Sequence, residues 1–256
     1  MIYEDIRYRL DEGIAHIELH RPERRNAYSS DMGHELVHAL RAAMTDQAVR
    51  VVILSGAGKG FCAGADREYL AGQPGRYGIL LGEEPFINEF TLELAASPKP
   101  LVAAMGGAAV GIGVTMVLPF DLRIAASDAS FGFPFTRLGL VPGLGSTHLL
   151  TQLVGQAKAR EWVLCGATLN AQEALAAGLV NQVVPSEQLM AEAEKWAHRM
   201  LESPSEAIAA AKRALTFGAS ASLLDALANE KLENRQLATV RAQQLAARVA
   251  KAHVKG

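Results

Sequence analysis

The sequence predicts an α/β fold assembled from short β-β-α units, followed by a region of helix alone. Three observations predict it. Strand and helix patterns alternate as far as residue 202, and every segment after Ser203-Pro204 is alanine-rich and helical. Residues 101–120, LVAAMGGAAVGIGVTMVLPF, carry no charge, yet Gly106, Gly107, Gly111 and Gly113 break them into a strand, a turn and a buried helix. Two regions follow from this: a β-β-α core over 1–202 and a C-terminal helical region over 203–256.

Residues 3–10 and 14–20 read as two strands around Asp11-Glu12-Gly13, with Ala15, Ile17 and Leu19 on one face. Ser29 or Ser30 caps a helix to Met44, whose inward stripe is Met32, Leu36, Leu40 and Ala43. Arg50–Ser55 is a strand, and residues 61–66 lead into the next helix. Residues 71–83, with Gly72, Gly75, Gly78, Gly82 and Pro74, read as mobile. Glu84–Ala96 reads as one helix, Leu101–Met105 as a strand, and Ile112–Leu118 as a buried helix. Strands are expected at 122–125, 129–131 and 179–184, and helices at 147–154, 157–164, 171–178, 187–201, 205–217 and 222–250.

A chain of 256 residues, half hydrophobic and a fifth charged, buries a sizeable core. Its net charge of −2 predicts neither a nucleic-acid nor a membrane-surface partner. The opening MIYEDIRYRL lacks an apolar signal region, and Cys62 and Cys165 match no ligand or redox spacing, so the expected location is cytoplasmic. Cys62, between Phe61 and Ala63, reads as a buried core residue.

His34-Glu35-Leu36-Val37-His38 matches the H-E-x-x-H of zinc hydrolases. The two histidines, however, fall opposite the helix's apolar stripe, and no third ligand is marked. No metal is therefore expected, although a zinc hydrolase is kept as an alternative. Gly56–Gly60 lacks phosphate-loop spacing and reads as a turn. Ser146 and His148 are neighbours in sequence, which is not the geometry of a triad. Two glycine-bearing turns, 63–66 and 111–113, each join a strand to a helix. If the fold brings them together, the N–H groups of Ala65 and Ile112 grip one oxygen, the arrangement that stabilises an enolate formed from a thioester.

The segments RPERRNA (21–27), GKGFCAGAD (58–66), PKPLVAAMGGAAVGIG (98–113), DLRIAASDASFGFP (121–134), LGLVPGLGST (138–147) and AQEALAAGLVNQVV (171–184) together resemble the crotonase superfamily of enoyl-CoA hydratases and isomerases. AVGIGVT (109–115) and PFTRLG (134–139) are most similar to its Δ3,Δ2-enoyl-CoA isomerase branch. The resemblance implies a crotonase-type spiral of β-β-α units, a C-terminal helical region that packs in a homotrimer or a hexameric dimer of trimers, and an acyl-CoA or enoyl-CoA thioester as ligand. No cofactor is implied beyond the coenzyme A of that substrate. It makes Ala65 and Ile112 the oxyanion donors, sets the nucleotide against Arg24, Arg25, Ala27 and the Ala63, Gly64, Ala65, Asp66 loop, and places Phe135 beside the acyl group.

The acids depart from the family pattern. Thr115, Phe135 and Gly143 occupy the positions where its members carry carboxylates, and none of these residues moves a proton as an acid or base. Glu68, Glu84 and Glu89, flanking the 72–82 segment, are the candidate bases. The sequence reading is thus an acyl-CoA enzyme that stabilises a thioester enolate, with isomerisation first and hydration second. The alternative is an acyl-CoA-binding protein of little activity.

Overall fold

The computed structural model describes residues 1–254. Strands β1 (Ile6–Asp11) and β2 (Ile14–Leu19) pair antiparallel around Glu12-Gly13. Helix α1 (Ser30–Thr45) begins where the Ser29 side chain accepts the Met32 N–H, and its predicted stripe of Met32, Leu36, Leu40 and Ala43 is wholly buried.

Three units then repeat one pattern. β3 (Val51–Gly56) is followed by β4 (Gly60–Cys62), β5 (Leu101–Met105) by β6 (Ala108–Val110), and β7 (Leu122–Ala126) by β8 (Ser130–Gly132). The first strand of each pair joins one sheet and the second joins another. Together with β9 (Thr168–Asn170) and β10 (Gln182–Val184) they give a six-stranded sheet, β1-β2-β3-β5-β7-β10, parallel beyond β2, and a four-stranded sheet, β4-β6-β8-β9. This is the expected spiral.

Strand alternation divides the core. Val52, Leu54, Leu101 and Ala103 face α1 and the smaller sheet, whereas Val51, Ile53, Val102 and Ala104 face α8 (Leu189–Leu201) through Leu189, Ala193 and Ala197. The buried Arg123 of β7 donates to the carbonyls of Leu179 and Phe120 at 2.8 and 2.6 Å, and burial lowers its pKa to about 10.

Local differences from the sequence reading have local causes. Strands β4, β6 and β9, three residues each, go unmarked in the sequence reading. The helix expected over 84–96 is two, α3 (Pro85–Asn88) and α4 (Phe90–Ala95), because Glu89 lies outside helical geometry at φ −130°. The buried helix after Gly111 spans only Ile112–Thr115, as α5. One helix, α6 (Ser146–Cys165), breaks at Gly155, where φ is 75°, and so fits the two expected. The strand near 179 is confined to β10, preceded by α7 (Ala171–Ala176). The C-terminal helices are α9 (Ser205–Gly218) and α10 (Leu223–Val254).

Candidate active site

The two glycine turns meet because their strands are paired. β4 runs parallel to β6 with Cys62 opposite Ala109, and an equal number of residues carries each chain on to Ala65 and to Ile112. Close packing keeps them together: a Cβ on Gly113 would lie 2.5 Å from the Cys62 carbonyl oxygen. Cys62 itself is fully buried, and burial pushes its thiol up to about 12, so it packs as a core residue and is no nucleophile.

Ala65 makes a parallel bridge with Tyr28 in which the Tyr28 N–H donates to the Gly64 carbonyl at 2.8 Å and the Asp66 N–H to the Tyr28 carbonyl at 2.8 Å. Those bonds use the groups on either side of Ala65 and turn its own N–H the other way. Ile112 opens α5, where an N–H has no intrahelical acceptor. Neither the Ala65 nor the Ile112 N–H has an acceptor among the described residues.

Both residues line one cavity of about 330 Å³. Its walls include Leu70 from α2 (Arg67–Leu70), Leu81, Gly82 and Ile87 above, and Val110, Phe135, Leu138, Leu140, Val141 and Leu144 beside them. Thr115 supplies the one side-chain hydroxyl in the lining, and no ionisable side chain lines it. Thr115, Phe135 and Gly143, the three non-acidic positions read from the sequence, are all in this wall. Two unpaired backbone donors facing an apolar cavity suit an oxygen that gains negative charge within a largely apolar molecule.

The residues that the resemblance sets against the nucleotide lie next to this turn. Ala63 donates to the Arg25 carbonyl at 3.0 Å, which ties the Arg24–Ala27 loop to the strand that leads to Ala65. Arg24 is exposed and pairs with Glu68 at 3.0 Å, Arg25 is exposed in a left-handed conformation at φ 52°, and Ala27 is half-buried. Asp66 caps α2 through the Glu68 N–H and pairs with Arg21 at 3.0 Å, so its buried carboxylate is engaged structurally.

The candidate bases are not brought to the cavity wall. The Glu84 carboxylate is fully buried, accepting the Tyr28 hydroxyl at 2.9 Å and the Gly82 N–H at 2.7 Å. Glu89 is exposed at the break between α3 and α4, and Glu68 is exposed on Arg24. Burial, then the neighbouring Glu84, raises the Tyr28 pKa well above its usual value, so the phenol stays protonated where it donates to Glu84.

The side chains of the H-E-x-x-H pattern are engaged elsewhere. Glu35 is fully buried and accepts the N–H groups of Glu4, Asp5 and Ile6, with Arg76 at 3.0 Å, which leaves it unable to activate a water. His34 stacks on Tyr77 at 4.4 Å and the His38 Nδ1 bonds the Tyr3 hydroxyl at 2.8 Å. Among the described residues no group of three or more His, Cys, Asp or Glu side chains is placed to hold a metal ion.

Sequence reading missed Leu70, Leu81, Ile87, Leu138, Leu140 and Val141. Leu81, Leu138, Leu140 and Val141 carried a signal, as apolar residues in glycine-rich passages that no helix or strand pattern required, whereas Leu70 and Ile87 were hidden as ordinary helix residues. Val141 is 82% exposed, which marks it as a residue of the mouth.

The two-sheet spiral and its paired N–H donors define an α/β protein of the crotonase type. The family model described as enoyl-CoA hydratase/isomerase matches residues 9–246. The 1,2-epoxyphenylacetyl-CoA isomerase of Escherichia coli is 36% identical over 80% of this chain and 79% of its own length. The crotonyl-CoA hydratase of Syntrophomonas wolfei is 37% identical over 85% and 84%. A crystal structure of enoyl-CoA hydratase from Bacillus anthracis superposes with a TM-score of 0.85 at 32% identity, covering 97% of both chains. The chain belongs to the enoyl-CoA hydratase/isomerase family. No helix among the described residues is long and apolar enough to cross a membrane.

Proposed function

We propose that this protein binds an acyl-CoA thioester with its carbonyl oxygen on the Ala65 and Ile112 N–H groups, and that it isomerises an enoyl-CoA through the enolate held there. The observation that carries this reading is the pair of acceptor-free N–H groups facing an apolar cavity. Hydration ranks second, because it needs a water held and activated beside the double bond, and the wall offers Thr115 alone among side-chain hydroxyls and no carboxylate. A double-bond shift needs one proton acceptor, and Glu68 is the one to test: its exposed carboxylate sits on the helix that supplies Leu70 to the cavity.

Arg24 and Arg25 serve the phosphates of coenzyme A in this reading, and no cofactor is required. Exposed leucines on the outer helices, Leu92, Leu215, Leu223 and Leu224, support assembly as a trimer or dimer of trimers, and two free thiols support a cytoplasmic location.

The test follows a 3-enoyl-CoA by NMR in deuterated buffer, with wild type beside Glu68→Gln. Formation of the 2-enoyl isomer with deuterium at the γ-carbon, where the dienolate is reprotonated, is the expected result. No shift of the 3-enoyl-CoA, with formation of 3-hydroxyacyl-CoA when a 2-enoyl-CoA is supplied in its place, assigns hydration instead. Tight binding with neither turnover nor exchange assigns the binding-protein reading, which the acid-free wall favours.

A further inference from the structure

The segment from 71 to 83, which carries Leu81 and Gly82 over the cavity, reads from its glycines as free chain. The structure shows it fastened at both ends of its length. Its backbone lies directly on the first turn of α1: a Cβ on Gly75 would sit 2.4 Å from Asp31 Oδ1 and 2.6 Å from Ser30 Oγ. Ser30 donates to the Ile79 carbonyl at 2.8 Å, and the Arg76 N–H donates to Asp31 Oδ2 at 3.0 Å. The Gly82 N–H is held by Glu84.

Between these points the Arg76 guanidinium enters a group of carboxylates from the residues just before β1 and from α1. It meets Glu4 at 2.7 Å, Glu35 at 3.0 Å, Asp5 at 3.4 Å and Asp31 at 3.6 Å. The side chains of Asp5, Asp31 and Glu35 are 10%, 2% and 0% exposed. Arg21, at 3.8 Å from Asp5, is the other cation facing this group. Buried carboxylates deprived of their cation are strongly unfavourable, so the arrangement with Arg76 withdrawn is rarely visited.

We propose that Arg76 is a positioning residue that clasps the roof of the cavity over the acyl chain and thereby sets affinity for the acyl portion of the ligand. The glutamate of the H-E-x-x-H pattern is part of the clasp. The proposal rests on reading this cavity as the acyl site.

Arg76→Met tests it by two measurements: amide hydrogen exchange over 75–83 without ligand, and calorimetric affinity for free coenzyme A and for a series of saturated acyl-CoAs. Exchange over 75–83 rises in the folded variant. Acyl-CoA affinity falls roughly tenfold while that for free coenzyme A stays within about twofold. Arg76→Lys, which keeps the charge and loses the fork, restores part of the difference. If Arg76→Met does not fold, Gly75→Ala lifts the same backbone off Asp31 and Ser30 with every charge retained, and the same two changes are expected.

Unchanged exchange over 75–83 in a folded variant overturns the clasp. Equal weakening of coenzyme A and acyl-CoA overturns its link to the acyl chain. If wild type binds acyl-CoA no better than coenzyme A, the cavity is not the acyl site and the link to affinity falls with it. The exchange result then still decides whether Arg76 pins the segment.

Discussion

Replacing Ile112 by proline removes one oxyanion donor at a position where a helix accepts proline. Ile112 is the first residue of α5, its N–H has no acceptor in the described chain, and the Gly111 before it has the freedom to precede a proline. Ile112→Ala is the matched control, because it trims the same side chain and keeps the N–H. The probe is acetoacetyl-CoA, whose α-proton is acidic enough to leave without a protein base, so its near-ultraviolet enolate absorbance reports oxyanion stabilisation alone. A hydrogen bond to a charged group contributes roughly 1.5–3 kcal/mol. At about 1.4 kcal/mol per pKa unit, the bound enol of the proline variant should ionise about one to two units higher than that of the alanine variant. Thermal stability of the two variants should agree, since the lost N–H bonds nothing in the ligand-free fold. Equal enolate fractions in the two variants across the pH range refute the assignment of Ile112 as a donor.

Gly113→Ala sets a methyl 2.5 Å from the Cys62 carbonyl and forces the two turns apart; we expect a loss of roughly 1–3 kcal/mol in denaturant unfolding together with loss of the enolate signal. Thiol titration of the native chain should count one fast group, the exposed Cys165, and both after unfolding. The Cys62 thiol stays neutral in the fold to about 12 but ionises near its usual 9.0 when unfolded, so the unfolded state loses the proton first and stability declines between these values as pH rises. Cys62→Ala should therefore show a shallower decline above pH 9.0 than wild type. Arg123→Met strips the buried carbonyls of Leu179 and Phe120 of their donor and should destabilise by roughly 3 kcal/mol, read from the urea midpoint at unchanged slope.

Much of the fold was legible because burial writes a period into the chain. Ala15, Ile17 and Leu19 alternate as a strand does, and Met32, Leu36, Leu40 and Ala43 recur as a helix does; all are fully buried. The oxyanion turns were legible for a related reason, since glycines between a strand and a helix mark where backbone comes close to something. Strands β4, β6 and β9, three residues each, left no trace, whereas the equally short β8 and β10 were read within 129–131 and 179–184. The break at Glu89 was equally hidden, since Phe90 and Leu94 continue a plausible stripe across it.

The acids illustrate the deeper limit. Sequence alone showed that Thr115, Phe135 and Gly143 carry no carboxylate, and the structure places all three in the cavity wall. It offered Glu68, Glu84 and Glu89 on equal terms, because a carboxylate's role depends on partners that are distant along the chain. Glu84 is buried on Tyr28, 56 residues away, and Glu35 on Arg76, 41 residues away. The sequence by itself determined the family and the missing acids and pointed to the two turns that carry Ala65 and Ile112, all of which are written in local residue type and spacing. Only the tertiary structure decided which glutamates are spent on structure and where the glycine-rich segment is fastened to α1. Those outcomes depend on desolvation and charge pairing between remote segments, which exist only once the chain has folded.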